Sequence, residues 1–128
     1  VLAHQSQYHG LSGGSALDVI VTHFNSTQGT TKSSYIANSN KVNDQQYPDI
    51  TALSDGGYAL VWQGKASGVN QIGYRAFDAN GTARFNEKAL TTGTQQHYNP
   101  KITELSNGNL AVVYHVSGKG TDASGYGV

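Results

Sequence analysis

Two segments of this chain repeat each other. Residues 47–62 (YPDITALSDGGYALVW) align without a gap with residues 99–114 (NPKITELSNGNLAVVY), so every matched pair is 52 positions apart. Each copy carries a Gly-containing tetrapeptide, SDGG or SNGN, between two apolar runs. A tandem period near 50 residues with an internal turn is typical of radial or stacked β architectures. The repeat therefore constrains the fold more than any single residue does.

Each copy predicts a β-hairpin. In the first copy, residues 50–53 form one arm, residues 54–57 the turn and residues 58–63 the second arm, because glycine adopts positive φ without steric cost. Along the second arm, Tyr58, Leu60 and Trp62 face one side, whereas Ala59 and Val61 face the other. Both sides are apolar, which predicts a strand covered on both faces by neighbouring sheets.

A second hairpin is predicted between the copies. Residues 71–77 alternate, residues 78–81 turn and residues 82–90 return, and an earlier version covers residues 19–30. Four strands in a period of about 50 residues match one propeller blade. We therefore predict an all-β fold of β-propeller-type four-stranded blades, about two and a half in this chain. Residues 1–47 and 100–128 would form partial blades and residues 48–99 a complete one.

Incomplete blades would leave strand edges and apolar faces uncovered. Residues 2–5 resemble residues 60–63, the end of a hairpin arm, and the sequence opens on Val1 rather than Met. We expect a processed chain or part of a longer one. Further blades, from more of the same chain or from a homo- or hetero-oligomeric partner, are expected to complete the structure.

Charge and composition narrow the partners. Eight basic and eight acidic residues give a net charge of zero, so no basic stripe is available to neutralise phosphates. The same balance argues against an anionic membrane surface, and no apolar run is long enough for a membrane span. The sequence contains no cysteine and therefore no disulfide framework. We expect neither nucleic-acid binding nor membrane insertion.

The repeat resembles a known family. Residues 47–62, the pattern RxFDxNGT at residues 75–82 and the pair Gln95-Gln96 before Pro100 resemble a repeat of large secreted bacterial proteins, the RTX-type and adhesin-like surface proteins. The resemblance covers roughly residues 17–128 and implies tandem propeller-type repeats in a secreted or cell-surface protein. Blades of this kind serve as scaffolds, adhesion modules or sugar-binding units, and propeller lectins are similar in outline.

The segments before the two prolines are the candidate ligand site. Residues 45–49 and 96–100 offer amides, aromatic rings and a carboxylate, and we expect them to be loops between blades, where binding residues concentrate. The alternative is that they only fix the crossing between blades. The candidate ligand-binding residues are Gln46, Tyr47, Asp49, Gln96, His97, Tyr98 and Asn99. Trp62 and Tyr114 are expected to pack in the core instead.

Three aspartates in Gly-rich turns have the oxygen chemistry of calcium ligands: Asp55, Asp78 and Asp122. The alternative is that they only form the turns. Apart from calcium, no cofactor is indicated, and the five histidines share no metal-ligand spacing. Asn25 and Asn80 each begin a glycosylation sequon.

Catalytic chemistry is not indicated. The sequence shows no nucleophile constellation and no distinctive pair of carboxylates for glycoside hydrolysis, so we do not expect an enzyme. Polar, neutral, aromatic-containing loops suit ligands rich in hydroxyl groups. The sequence therefore predicts a non-catalytic carbohydrate-binding, lectin-like or adhesion module that recognises glycans or glycoproteins. The alternative function is a structural repeat of a large extracellular adhesin without a ligand of its own.

Overall fold

The computed structural model describes residues 1–6, 16–25, 27–117 and 126–127. Within these ranges the chain is all-β, and they contain no helix long and apolar enough to cross a membrane. The strands are β1 (Leu2–Ser6), β2 (Asp18–Asn25), β3 (Thr30–Ile36), β4 (Gln45–Ala52), β5 (Tyr58–Ala66), β6 (Val69–Phe77), β7 (Lys88–Ala89), β8 (Gln96–Glu104), β9 (Leu110–Ser117) and β10 (Tyr126–Gly127).

Three antiparallel sheets are formed, and none closes on itself. The first sheet has the order β1-β2-β3, the central sheet β4-β5-β6-β7 and the last sheet β10-β9-β8. The central sheet is a four-stranded meander in which each strand pairs with the next in sequence. The all-β prediction is confirmed.

The predicted hairpins are present in both copies of the repeat. In the first, the Leu53 N–H donates to the Gly57 carbonyl, and the Asp55 carboxylate accepts from the Gly57 N–H. Gly56 has a φ of 87°, which explains glycine at that position. The second copy repeats these contacts 52 positions later, with Gly108 in place of Gly56.

The strand register extends the repeat beyond the two matching segments. Leu2 pairs with Thr22 on β1 and β2, as Leu60 pairs with Arg75 on β5 and β6. Residues 2–6 are therefore equivalent to residues 60–64, and residues 18–24 to residues 71–77. This register agrees with the predicted likeness between residues 2–5 and 60–63.

The central sheet lies between the other two and is buried on both faces. One apolar cluster joins it to the first sheet: Val19, Val21, Ala37, Tyr58, Leu60, Trp62 and Phe77. A second cluster joins it to the last sheet: Ala59, Val61, Ile72, Ala76 and Ile102. The side chains of β5 alternate between the two clusters, so the predicted two-sided burial of this strand is confirmed.

Trp62 is a core residue, as expected. Its side chain is fully buried, and its Nε1–H donates to Gln45 Oε1 at 3.1 Å. The ring lies over Gly73, the directly opposite residue on β6, where a Cβ atom would come within 2.5 Å of it. The missing side chain at Gly73 is therefore the space that the indole occupies.

The return arm predicted over residues 82–90 is much shorter than expected. It forms one bridge, between Phe77 and Ala83, and the two-residue strand β7. Between them, the Arg84 side chain donates to Asp55 and to the Phe77 carbonyl of β6, and Glu87 accepts from the N–H and Oγ of Ser39. These contacts hold the segment without a continuous ladder.

Candidate functional site

The two proline segments lie inside strands, and the prediction that they are loops is wrong. β4 begins at Gln45 and β8 at Gln96. Within them, residues 47–48 lie opposite Trp62 alone, and residues 99–100 lie opposite Tyr114 alone, so each pair forms a β-bulge. Proline donates no backbone hydrogen bond and is accommodated in a sheet at an edge strand or a bulge. Here both conditions hold, because β4 and β8 end the strand order of their sheets.

Both bulges have the same unusual backbone. Tyr47 has a φ of 51° and Asn99 a φ of 49°, in the left-handed region that side chains other than glycine seldom adopt. Each bulge is held by a glutamine of the preceding sheet: the Tyr47 N–H donates to Gln5 Oε1 at 2.8 Å, and the Asn99 N–H to Gln63 Oε1 at 3.4 Å. Gln5 and Gln63 are equivalent positions. Strained backbone of this kind concentrates at functional sites.

A groove of about 330 Å³ lies between the two bulges. Its lining residues come from both copies of the repeat: Tyr47, Pro48, Asn99, Pro100 and Lys101. The Tyr47 side chain is 51 % exposed, although it belongs to a strand. Pro100 is fully buried, so the accessible lining combines the Tyr47 ring and the half-buried Pro48 ring with one amide and one ammonium group. We call this set of residues the bulge groove.

Asp49 fixes the distance between the two strands that form the bulge groove. Its Oδ2 accepts from the Ile102 N–H at 2.8 Å, and its Oδ1 accepts from Lys101 Nζ at 3.3 Å. Asp49 follows Pro48 as Lys101 follows Pro100, so the pair joins equivalent positions of opposite charge. This contact ties β4 to β8 beside the bulge groove.

The other candidate ligand residues do not reach the bulge groove. Gln96 Oε1 accepts from the Asn70 N–H at 2.7 Å. His97 is buried, and its ring packs edge-on against Tyr114 with 5.4 Å between centroids. Tyr98 is half-buried in β8, and Gln46 lines a separate cleft. The structure thus brings together Tyr47, Asp49 and Asn99 from the predicted set.

Lys101 was absent from the sequence prediction, whereas Pro48 and Pro100 lay inside the candidate segments without being named as ligand residues. The signal for Lys101 was present, because it occupies the position of Asp49 in the second copy. Opposite charges at equivalent repeat positions indicate a contact only once the two strands are known to be neighbours. That neighbourhood is a tertiary property of the stack.

The second cleft, of about 700 Å³, is polar. Its lining residues are Ala16, Lys41, Asn43, Asp44, Gln46, Gln63, Lys65 and Asn70. Two of these already make structural contacts: Asp44 accepts from the Leu17 N–H, and Gln63 accepts from the second bulge. The set contains amides and charges but no aromatic ring. It therefore lacks the flat apolar surface on which a sugar ring packs.

The turn aspartates make local contacts. Both oxygens of Asp55 accept from Arg84, at 2.7 and 2.8 Å, and these bonds with that from the Gly57 N–H lower the pKa of Asp55 to about 2. Asp78 Oδ1 accepts from the N–H groups of Asn80 and Thr82. Across the described ranges, no three His, Cys, Asp or Glu side chains come together as metal ligands. Asp122 lies outside those ranges.

The two sequon asparagines are exposed. Asn25 ends β2, and its Oδ1 accepts from the N–H groups of Thr27 and Gln28. Asn80 lies in the turn after β6, where its N–H donates to Asp78. Ser26, the middle residue of the first sequon, lies outside the described ranges.

A polar cluster that the sequence did not indicate bridges the first and central sheets. His23 Nε2 lies 2.9 Å from the Tyr58 hydroxyl, and the hydroxyl of Tyr35 contacts that of Tyr58. Burial, reinforced by the charge of Asp78 and opposed by Arg75, raises the pKa of Tyr35 to about 12. The Tyr35 phenol therefore stays neutral near pH 7, and the cluster packs the first and central sheets together.

No protein-family model, curated protein or solved structure matches the chain.

Proposed function

We propose that this chain is a non-catalytic, lectin-like module that binds glycans in the bulge groove. The observation that carries the proposal is the juxtaposition of Tyr47 and Asn99, residues 52 positions apart that line one solvent-open groove. A half-exposed tyrosine ring offers an apolar face for the C–H face of a sugar ring. The Asn99 amide and Lys101 ammonium are placed to bond hydroxyl groups.

The bulge groove is suited to a neutral, hydroxyl-rich ligand rather than to a charged one. Lys101 pairs with Asp49, which is not itself a lining residue, so the local charge is largely balanced. The glutamine contacts at both bulges and the Asp49 contact to β8 hold the walls in place. A preorganised groove spends little free energy on ordering when the ligand binds.

The arrangement of the three sheets as propeller blades is part of the same proposal. We infer that the three sheets are blades of a propeller-type array in a secreted or cell-surface protein, with β4 and β8 on the side nearest the axis. In support, these two strands contact each other directly through Asp49 and Ile102. The equivalent glutamines, Gln5 and Gln63, also bridge consecutive sheets in the same way.

The test is calorimetric titration of the chain with a panel of neutral mono- and oligosaccharides, with and without calcium. Tyr47→Asn is the decisive variant, because asparagine occupies the equivalent position 99 at the same positive φ. Loss of the ring should weaken binding about tenfold, which corresponds to about 1.4 kcal/mol. Val42→Ala, at an exposed valine outside the bulge groove, is the matched control and should bind as the parent does.

Two results would overturn the proposal: no saccharide binds, or Tyr47→Asn binds as tightly as the parent. The first result would favour the second candidate function, a structural repeat without a ligand. The observation behind that candidate is the continuous apolar packing from the first sheet through the central sheet to the last.

A further inference from the structure

The last sheet exposes residues whose repeat equivalents are buried. Val113 is 62 % exposed, whereas Val61, 52 positions earlier, is fully buried against this same last sheet. Leu105 is also exposed, whereas the equivalent Leu53 packs into the cluster between the central and last sheets. The outer face of the last sheet thus repeats the face with which the central sheet binds its neighbour. We call it the tail face.

The first sheet shows the opposite half of the same interface. Leu2 and Phe24 are 48 % and 45 % exposed on its outer side. By strand register they are equivalent to Leu60 and Phe77, which are buried where the central sheet packs on the first sheet. The outer face of the first sheet thus repeats the face that the central sheet presents to its predecessor. We call it the head face.

Inside the chain, the tail-type face of one sheet packs on the head-type face of the next sheet at both contacts. The first sheet uses Val19 and Val21 against Leu60 and Trp62 of the central sheet. The central sheet uses the equivalent Ile72 and Tyr74 in its contact with the last sheet, where Val112 and Tyr114 take the places of Leu60 and Trp62. The interface therefore occurs twice within one chain. Among the described residues, each end of the stack exposes part of one further half: Val113 and Leu105 on the tail face, and Leu2 and Phe24 on the head face, where Ile20 and Thr22 are already buried.

We propose that a second copy of this chain docks head to tail, with the tail face of one copy against the head face of the next. The contact continues the stacking already made twice within the chain. It joins two different surfaces, so it is heterologous, and it closes a ring or extends as a filament according to the rotation per copy. The proposal does not depend on glycan binding. Lys101 of the bulge groove lies opposite Val113 on the tail face, but the two residues that test the docking, Phe24 and Val113, are not bulge-groove residues.

Physical chemistry favours this occupant. Exposed aliphatic and aromatic side chains on a sheet face gain free energy when a complementary apolar face removes them from water. A net charge of zero gives no long-range repulsion between identical copies. A second copy also supplies both halves of the interface with side chains whose equivalents already pack together.

The experiment is sedimentation velocity of the 128-residue chain over a range of concentrations, with one charged substitution on each face. Phe24→Glu alters the head face and Val113→Glu the tail face. Val42→Glu, an equally exposed apolar site in the segment between β3 and β4, is the control. Circular dichroism on each variant shows that the fold is kept.

The parent and Val42→Glu should form multiples of the 13.5 kDa mass, and each face variant by itself should stay monomeric. An equimolar mixture of the two face variants has one intact pair of faces. It should therefore form a heterodimer and nothing larger. A monomeric parent at every concentration would overturn the proposal. A face variant that still assembles would also overturn it, and so would a mixture that stays monomeric. A two-fold symmetric contact joins the same face of both copies, so mixing the two variants would not produce a new heterodimer.

Discussion

Val61 and Val113 are the same residue at the same point of two copies of one sequence, yet their surroundings are opposite. Val61 is fully buried between the central and last sheets, whereas Val113 lies largely in solvent. Each is paired on one side with the residue after the bulge, Asp49 or Lys101. Val61 is also paired with Tyr74 on its other side, whereas the described part of β10 pairs only with Val116 and Ser117. The difference comes from what lies beside the strand and from what covers the sheet.

The same contrast recurs on the other side of the stack. Leu60 is buried and Leu2 is half-exposed, although both occupy the same register position. The comparison teaches that the repeat encodes a sheet with two apolar faces. It does not encode which faces are covered within one chain. Identical residues in equivalent strands can therefore be used as matched pairs to measure what the covering layer and the neighbouring strand contribute together.

The largest expected effect is at Trp62. Trp62→Ala removes the largest fully buried side chain and leaves Gln45 Oε1 without its indole donor, so we expect a loss of about 3–5 kcal/mol in the free energy of unfolding. Its register equivalent His4 is exposed, and His4→Ala should change stability by less than about 0.5 kcal/mol. Urea unfolding of dilute protein followed by circular dichroism measures both. Equal losses in the two variants would contradict the asymmetry between the sheets.

A smaller effect is expected for the matched leucines. Leu60→Ala should cost about 2–5 kcal/mol, because it opens a cavity between two sheets. Leu2→Ala should cost under about 1 kcal/mol in dilute protein, since nearly half of its surface is already in water. The two residues share a register position, but β1 is an edge strand and β5 has a strand on both sides, so the comparison measures the covering layer and the neighbouring strand together. If Leu2→Ala proved as destabilising as Leu60→Ala, the first sheet would have to be covered as the central sheet is.

The smallest effect concerns the turns, where the copies differ by one charge. Asp55→Asn installs the residue that the second copy carries at position 107 and keeps the turn hydrogen bond, but it removes the pair with Arg84. The pKa of Asp55 is lowered from 3.8 to about 2 in the folded chain. Its contribution to stability is therefore present above pH 3.8 and disappears as the pH falls through about 2.

Acid unfolding of the parent and of Asp55→Asn tests this prediction. The parent should be slightly more stable at neutral pH, and the two curves should converge near pH 2. Asn107→Asp is the control, because no arginine pair is observed at that turn. A difference between parent and Asp55→Asn that persists unchanged at pH 2 would show that the Asp55–Arg84 contact is not its cause.

Much of the fold could be predicted from local sequence. The alternation in residues 58–63 and the Gly-bearing turns at residues 54–57 and 106–109 specify two hairpins, because strand period and turn geometry depend on neighbouring residues. Two-sided burial of β5 followed from its apolar residues on both faces. The short return arm was not foreseen, since the Arg84 and Glu87 contacts that replace the ladder reach distant residues.

The candidate site was only partly predictable. Tyr47, Asp49 and Asn99 were foreseen, and they do lie together. The prediction that they lie in loops was wrong, because they lie in bulges of two strands. A proline in a polar segment is compatible with a loop and with a bulge at a sheet edge. Gln96 and His97 have the chemistry of ligand residues, but their partners, Asn70 and Tyr114, are neighbours only in the folded chain.

By itself the sequence determined the strands, their turns and the existence of two apolar faces, since each depends on a pattern within a few residues. The tertiary structure decided which faces are buried, where the two bulges meet and which equivalent side chains face each other, as Asp49 faces Lys101. These depend on the order in which the sheets stack. Stacking brings together residues about 50 positions apart, and local pattern carries no information about that distance.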